Sequence, residues 1–173
     1  ARKGDVAAVK GLLDKGVNVN AKTRYGATAL SYACDKGHVE LVKLLIERGA
    51  DVNVKDTFYR EVPIGWALSH GHVDIIKLLL DKGAAGADRT LMTGVQEGKV
   101  EIVRVAVEKG GIKQDVLDSA LRRAFSGGNK EIIDLLKKAG LTDVRLTVGA
   151  RRARDPFTVL IASAVKVGGA GGC

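Results

Sequence analysis

At 173 residues and 46% hydrophobic content, the chain is long enough for one domain with a buried core. A charged fraction of 28% beside that apolar content excludes disorder over most of the length, and two prolines and two cysteines exclude collagen-like and disulfide-stapled classes. Lys and Arg outnumber Asp and Glu by 28 to 20, a net charge of +8 that is spread out, +5 over residues 1–140 and +3 over residues 141–173; no run of roughly 18 uncharged apolar residues offers a membrane span.

The elements recur. GDVAAVKGLLDKGVNVNAK starts at Gly4, GHVELVKLLIERGADVNVK at Gly37 and GHVDIIKLLLDKGAAGAD at Gly71; looser copies, GKVEIVRVAVEKGG and GNKEIIDLLKKAG, start at Gly98 and Gly128. Each copy predicts a helix with apolar residues at three-and-four spacing, such as Val39, Val42 and Leu45 beside Leu41 and Leu44. Two adjacent stripes imply two packed faces. The helices are predicted to end at Gly16, Gly49, Gly83, Gly110 and Gly140, where a residue without Cβ accepts the left-handed conformation. Basic side chains precede these glycines, toward the negative end of the helix dipole. Before each later copy runs a shorter, small-residue helix, Ala27 to Gly37, Val62 to Gly71, Ala87 to Gly98 and Val116 to Gly128, in which Ala33, Ala67 and Ala124 allow close approach. The helical pattern is expected to include the first residue, with neither a charged leader region nor an apolar one before it.

Residues Thr23 to Asn53 carry the most complete unit: Gly26, Thr28, Leu30, Ala33, Gly37, His38, Glu40, Leu44, Leu45, Gly49, Ala50, Asp51 and Asn53. On these residues the chain resembles an ankyrin-repeat protein. The resemblance implies an all-α repeat solenoid, a stack of helix pairs with β-hairpin fingers on the first repeats. About five repeats, the first partial, would fill residues 1–140, and residues 141–173 would form a C-terminal extension. Fingers are expected mainly at residues 17–27 and 51–62, with bare links afterwards. The second finger should be distorted, because Arg60 replaces the turn glycine and one extra residue lies near Asp56.

The resemblance also implies protein binding on the concave face, without enzymatic activity. Its variable finger and inner-helix positions fall at Arg24, Tyr25, Ala27, Asp35 and Lys36, then Phe58, Tyr59, Arg60, Glu61, Ser69 and His70, with Gln96 and Glu97 continuing the groove. Tyr25, Phe58 and Tyr59 carry weight on physical grounds, since exposed aromatics commonly anchor interfaces. Trp66 is expected to pack between repeats. Two other readings stay open: a regulatory or targeting part of a larger enzyme or effector, and a polyanion-binding or nucleic-acid-binding surface of Arg122, Arg123, Lys130, Lys137, Lys138, Arg151, Arg152 and Arg154.

Residue chemistry adds little to these. His38 and His72 occupy the glycine-histidine turn, where the resemblance implies a structural imidazole; a His70–His72 metal pair lacks neighbouring carboxylate or cysteine ligands, so neither metal nor cofactor is expected. Ser69, His70 and Asp74 supply the letters of a triad without its geometry. Cys34 and Cys173 form no disulfide framework or zinc spacing, which fits a reducing, cytoplasmic compartment. The chain is read as a monomer. In residues 141–173, VLIASAV is expected to cap the last repeat against Ile132, Leu135 and Leu136, with a hairpin across GARRARD as the alternative.

Overall fold

The computed structural model describes residue 1 and residues 3–144, with side chains as far as residue 140. Among the described residues nine helices follow one another: α1 (Val6–Asp14), α2 (Ala29–Asp35), α3 (Val39–Glu47), α4 (Pro63–His70), α5 (Val73–Asp81), α6 (Ala87–Glu97), α7 (Val100–Lys109), α8 (Gln114–Gly127) and α9 (Lys130–Val144). Residue 1 and residues 3–5 stay outside the helix, contrary to the expectation that the pattern runs from residue 1. Gly4 takes φ +71° and the Asp5 carboxylate caps α1 by accepting from the Ala8 amide at 2.9 Å.

Helices α1, α3, α5, α7 and α9 stack as an outer row, while α2 packs on α4 and α6 on α8 in the inner row. Apolar spacing explains both. On α3 and α5 the residues Leu41, Val42, Leu45, Ile75, Ile76 and Leu79 are fully buried, and Ala33 and Ala67 on the inner helices are as deep. The pair of α6 and α7 has a glycine at the corresponding position, Gly94, where a Cβ would lie 2.9 Å from Val103 Cγ2 and 3.0 Å from the Val103 amide nitrogen. Two hydrophobic clusters result. One centres on Leu30, Leu45, Ile64 and Leu79, the other on Leu91, Val103, Leu121 and Ile132. Helix α7 belongs to both, giving Ile102 and Val105 to the first and Val103 and Ala106 to the second.

Neighbouring repeats are keyed at the glycine turns. A Cβ on Gly4 would meet His38, and one on Gly37 would meet His72, each at 2.7 Å; Lys99 takes the equivalent place over Gly71. His72 Nε2 also lies 3.4 Å from the Asp35 carbonyl, in keeping with a structural imidazole. Asparagines clamp the first repeats together. Asn20 donates to the Gly49 carbonyl and accepts from the Asp51 amide, and Asn53 does the same with Gly83 and Ala85. Ala87 stands one repeat after Asn53, so this ladder ends there.

The described residues contain no strands, so the expected β-hairpin fingers are tight turns instead. The Thr23 amide bonds the Ala27 carbonyl and the Asp56 amide bonds the Glu61 carbonyl, too few rungs for a ladder. Helices end at Gly16, Gly49 and Gly83 with φ of +85°, +83° and +82°, and Gly110 reverses the chain at +69°. Gly140 does not end a helix: α9 continues through it to Val144, since a glycine without an enforced left-handed conformation weakens a helix without stopping it. The cap and the alternative hairpin lie outside the described residues.

Candidate functional site

Finger geometry begins with Asp56. Its carboxylate, buried with the residue 5% exposed, accepts from the amides of Phe58 at 3.0 Å, Tyr59 at 2.6 Å and Glu61 at 3.2 Å. These bonds stand in for the missing strand partners and wind the extra residue into a compact loop. Arg60 takes φ +57°, the left-handed turn that Gly26 makes at +75° in the preceding finger. The distortion anticipated from sequence therefore consists of one strained non-glycine residue over an internal carboxylate anchor. The two fingers are tied by the Thr57 amide, which donates to the Tyr25 carbonyl at 2.8 Å. Gly26 permits that approach: a Cβ there would stand 2.8 Å from the Thr57 nitrogen.

This tie brings the aromatics together. Tyr25 and Phe58 meet edge to face at 5.8 Å between ring centroids, Phe58 and Tyr59 at 4.6 Å, and Tyr59 and Trp66 at 5.4 Å, with interplanar angles of 73°, 81° and 83°. They line a cleft of about 340 Å³ together with Ala27, Ser31, Tyr32, Asp35 and Asp56. Phe58 and Tyr59 are 67% and 68% exposed, so the rings are held by one another more than by the core. Arg24 lies on the rim, its guanidinium 4.6 Å above the Tyr25 ring and hydrogen-bonded to the Tyr25 hydroxyl.

The other predicted residues divide. Ala27 and Asp35 line the cleft with Tyr25, Phe58 and Tyr59. Lys36 pairs with Asp35 at 2.9 Å, and His70 Nδ1 stands 3.6 Å from Asp35 and 3.2 Å from the Trp66 carbonyl. Arg60 is exposed at its turn and is not among the residues that line the cleft. Glu61 is committed inside the chain: its carboxylate holds Arg89 of α6 through two bonds of 2.6 and 2.8 Å. Partial burial works to raise its pKa, but the Arg89 hydrogen bonds and the Val62 amide prevail and hold it below the ordinary value. Gly65 makes the room, since a Cβ there would collide with Glu61. Ser69 donates to the Gly65 carbonyl at 3.0 Å, and its hydroxyl is thus not directed as a nucleophile. Gln96 and Glu97 are exposed at the end of α6 and outside the cleft, Glu97 pairing with Lys99 at 2.8 Å.

Sequence reasoning missed Ser31, Tyr32 and Asp56 as cleft residues and placed Trp66 in the packing. Trp66 does both, packing against the first hydrophobic cluster while walling the cleft. Composition held a usable signal, because five of the chain's seven aromatics fall between residues 25 and 66. Cys34 is fully buried on α2, and burial pushes its thiol up to about 12, far from a reactive thiolate.

A profile of ankyrin repeats in three copies matches residues 1–56, and a single ankyrin-repeat profile matches residues 61–93. The chain belongs to the ankyrin-repeat family. Ankyrin repeats are generally protein-interaction modules; the matched residues include the first finger and most of the cleft lining, while Thr57 to Arg60, with the cleft residues Phe58 and Tyr59, fall between the two matches. No curated protein matches the chain. Among the described residues, no helix is long and apolar enough to cross a membrane, and no three His, Cys, Asp or Glu side chains gather as metal ligands would. Of the basic C-terminal set, Arg122 bonds Ser119 and Lys137 lies 5.4 Å over the Phe125 ring, while Glu131 and Asp134 stand among the lysines of α9. Arg151, Arg152 and Arg154 lie outside the described residues.

Proposed function

We propose that this ankyrin array is a non-enzymatic module that binds a partner protein on the surface formed by its first two fingers and inner helices α2 and α4, with Phe58, Tyr59 and Arg60 at the centre. The observation that carries this reading is the exposed aromatic cluster. In a chain with 4% aromatic residues, four rings are stacked edge to face over one cleft, two of them more than two-thirds exposed. A monomer gains little from holding such rings in water, whereas rigid aromatics beside an arginine are the usual anchors of binding surfaces. The internal anchoring by Asp56 supports it further, because the finger is ordered before a partner arrives and less entropy is lost on binding.

The test is affinity capture from source-cell lysate with nuclease treatment, comparing the native chain with a Phe58→Ala, Tyr59→Ala, Arg60→Ala variant whose helical circular dichroism is unchanged. A protein retained by the native chain and lost with the variant supports the assignment. Equal retention refutes it.

A further inference from the structure

Nine residues line the cleft; five are aromatic, two are acidic and none is basic. This stands out in a chain of net charge +8. The two acids differ. Asp56 spends its carboxylate on three backbone amides, so it is a structural anchor. Among the described residues the Asp35 carboxylate is paired with its exposed neighbour Lys36 at 2.9 Å and with His70 at 3.6 Å, and its side chain keeps 21% exposure. An ion pair between sequence neighbours in water is worth little and is readily exchanged for a better one.

We infer that the cleft receives the side chain of an arginine from the partner protein, its guanidinium lying against the aromatic rings and paired with the Asp35 carboxylate. The inference rests on the protein-binding reading above and specifies its chemistry. Three features select arginine. Aromatic faces attract a cation, and the planar guanidinium is weakly enough hydrated to leave water for them, whereas a lysine ammonium gives up a strongly held shell. The molecule already makes this contact once, at the rim, where Arg24 lies over Tyr25 and bonds its hydroxyl. An aliphatic side chain would fill the same space but would strip water from Asp35 without supplying a donor. The cleft volume of about 340 Å³ accommodates one long side chain.

Trp66 is the chain's one tryptophan and lines the cleft, so its fluorescence reports occupancy directly. The full chain is titrated with capped tripeptides Gly-Xaa-Gly in which Xaa is arginine, citrulline, lysine or leucine. A saturable change with the arginine peptide is expected, with citrulline, the uncharged isostere, weaker by about tenfold or more and lysine in between. Asp35→Asn should lower arginine affinity by a similar factor while leaving the melting midpoint in place. Equal binding of arginine and citrulline overturns the inference, as does a saturable response to none of the peptides. Preference for leucine overturns it too, yet leaves the cleft as a protein-binding surface; failure of that broader reading shows separately, as unchanged partner retention by the triple-alanine variant.

Discussion

The two halves of the stack share a helix-pair scaffold and differ in what joins one pair to the next. Through residue 85, successive repeats are linked by directional polar bonds, the Asn20 and Asn53 clamps and the Thr57–Tyr25 tie, and the Asp56 carboxylate fixes its own loop from inside. From α6 onward the connections are short and carry no asparagine clamp among the described residues; repeats are joined there by the Lys113 amide on the Asp88 carboxylate at 3.3 Å and Arg104 beside Glu131 at 3.4 Å, and the helices meet through apolar faces, most intimately where Gly94 lets α6 close on Val103. Apolar contact is sufficient to stack helices, since it grows with area and is indifferent to direction. Holding exposed rings in one arrangement over a cleft needs bonds with fixed angles, and these occur in the half that carries the fingers.

The largest test of this division is Ile102→Ala. Ile102 belongs to α7 yet is fully buried in the first cluster, so its truncation should cost about 2–5 kcal/mol and loosen the joint between the halves. Helical circular dichroism reports on the whole array and Trp66 emission on the first half alone. In urea, the variant's helical signal should begin to fall before its Trp66 signal; coincident transitions would mean that the halves unfold as one cooperative unit. Next in size is Asn53→Ala, which removes two inter-repeat bonds and should cost about 1–2 kcal/mol, against less than about 0.5 kcal/mol for Lys113→Ala, which leaves the Lys113 amide's bond to Asp88 in place. Similar midpoints for these two variants would erase the distinction between clamped and unclamped repeats.

Arg60→Gly should move stability upward. The left-handed turn strains any residue with a Cβ by about 1–2 kcal/mol, and glycine returns part of that gain through its freer unfolded chain, leaving about 0.5–1 kcal/mol. A higher melting temperature together with weaker partner capture would identify strain retained for binding; a lower one would mean that the Arg60 side chain stabilises the finger. The smallest effect concerns Glu61. Its folded pKa is lowered, so its contribution is fully present above the unfolded value of 4.5 and is lost as pH falls through the folded value. Because Arg89 is half exposed, the effect should not exceed about 1 kcal/mol. Glu61→Gln should therefore flatten the acid limb of the stability profile below pH 4.5, and an unchanged limb would exclude the Glu61–Arg89 bridge as a contributor.

Helix positions and their order were legible because they follow from local chemistry. A glycine three or four residues past an apolar stripe ends a helix wherever it must adopt positive φ, and the repetition of that grammar at Gly37, Gly71 and Gly98 set the pairs in place. Gly140 shows the limit of the rule, for the same residue type within α9 has no reversal to make and the helix passes through it. Of the candidate site, the finger residues Tyr25, Phe58 and Tyr59 were legible as exposed aromatics at loop positions. Hidden from a linear reading were the partners supplied from elsewhere in the chain. Glu61 reads as a free surface acid until Arg89, 28 residues later, pairs with it, and Asp56 reads as a loop acid until the loop folds over its oxygens. Trp66 reads as a packing residue until two fingers converge beside it. Periodicity, turn chemistry and residue class act over a few neighbouring residues and so are written in order along the chain. Which aromatic rings share a cleft, and which carboxylate there keeps an exchangeable partner, depends on distances between repeats that exist once the helices have stacked.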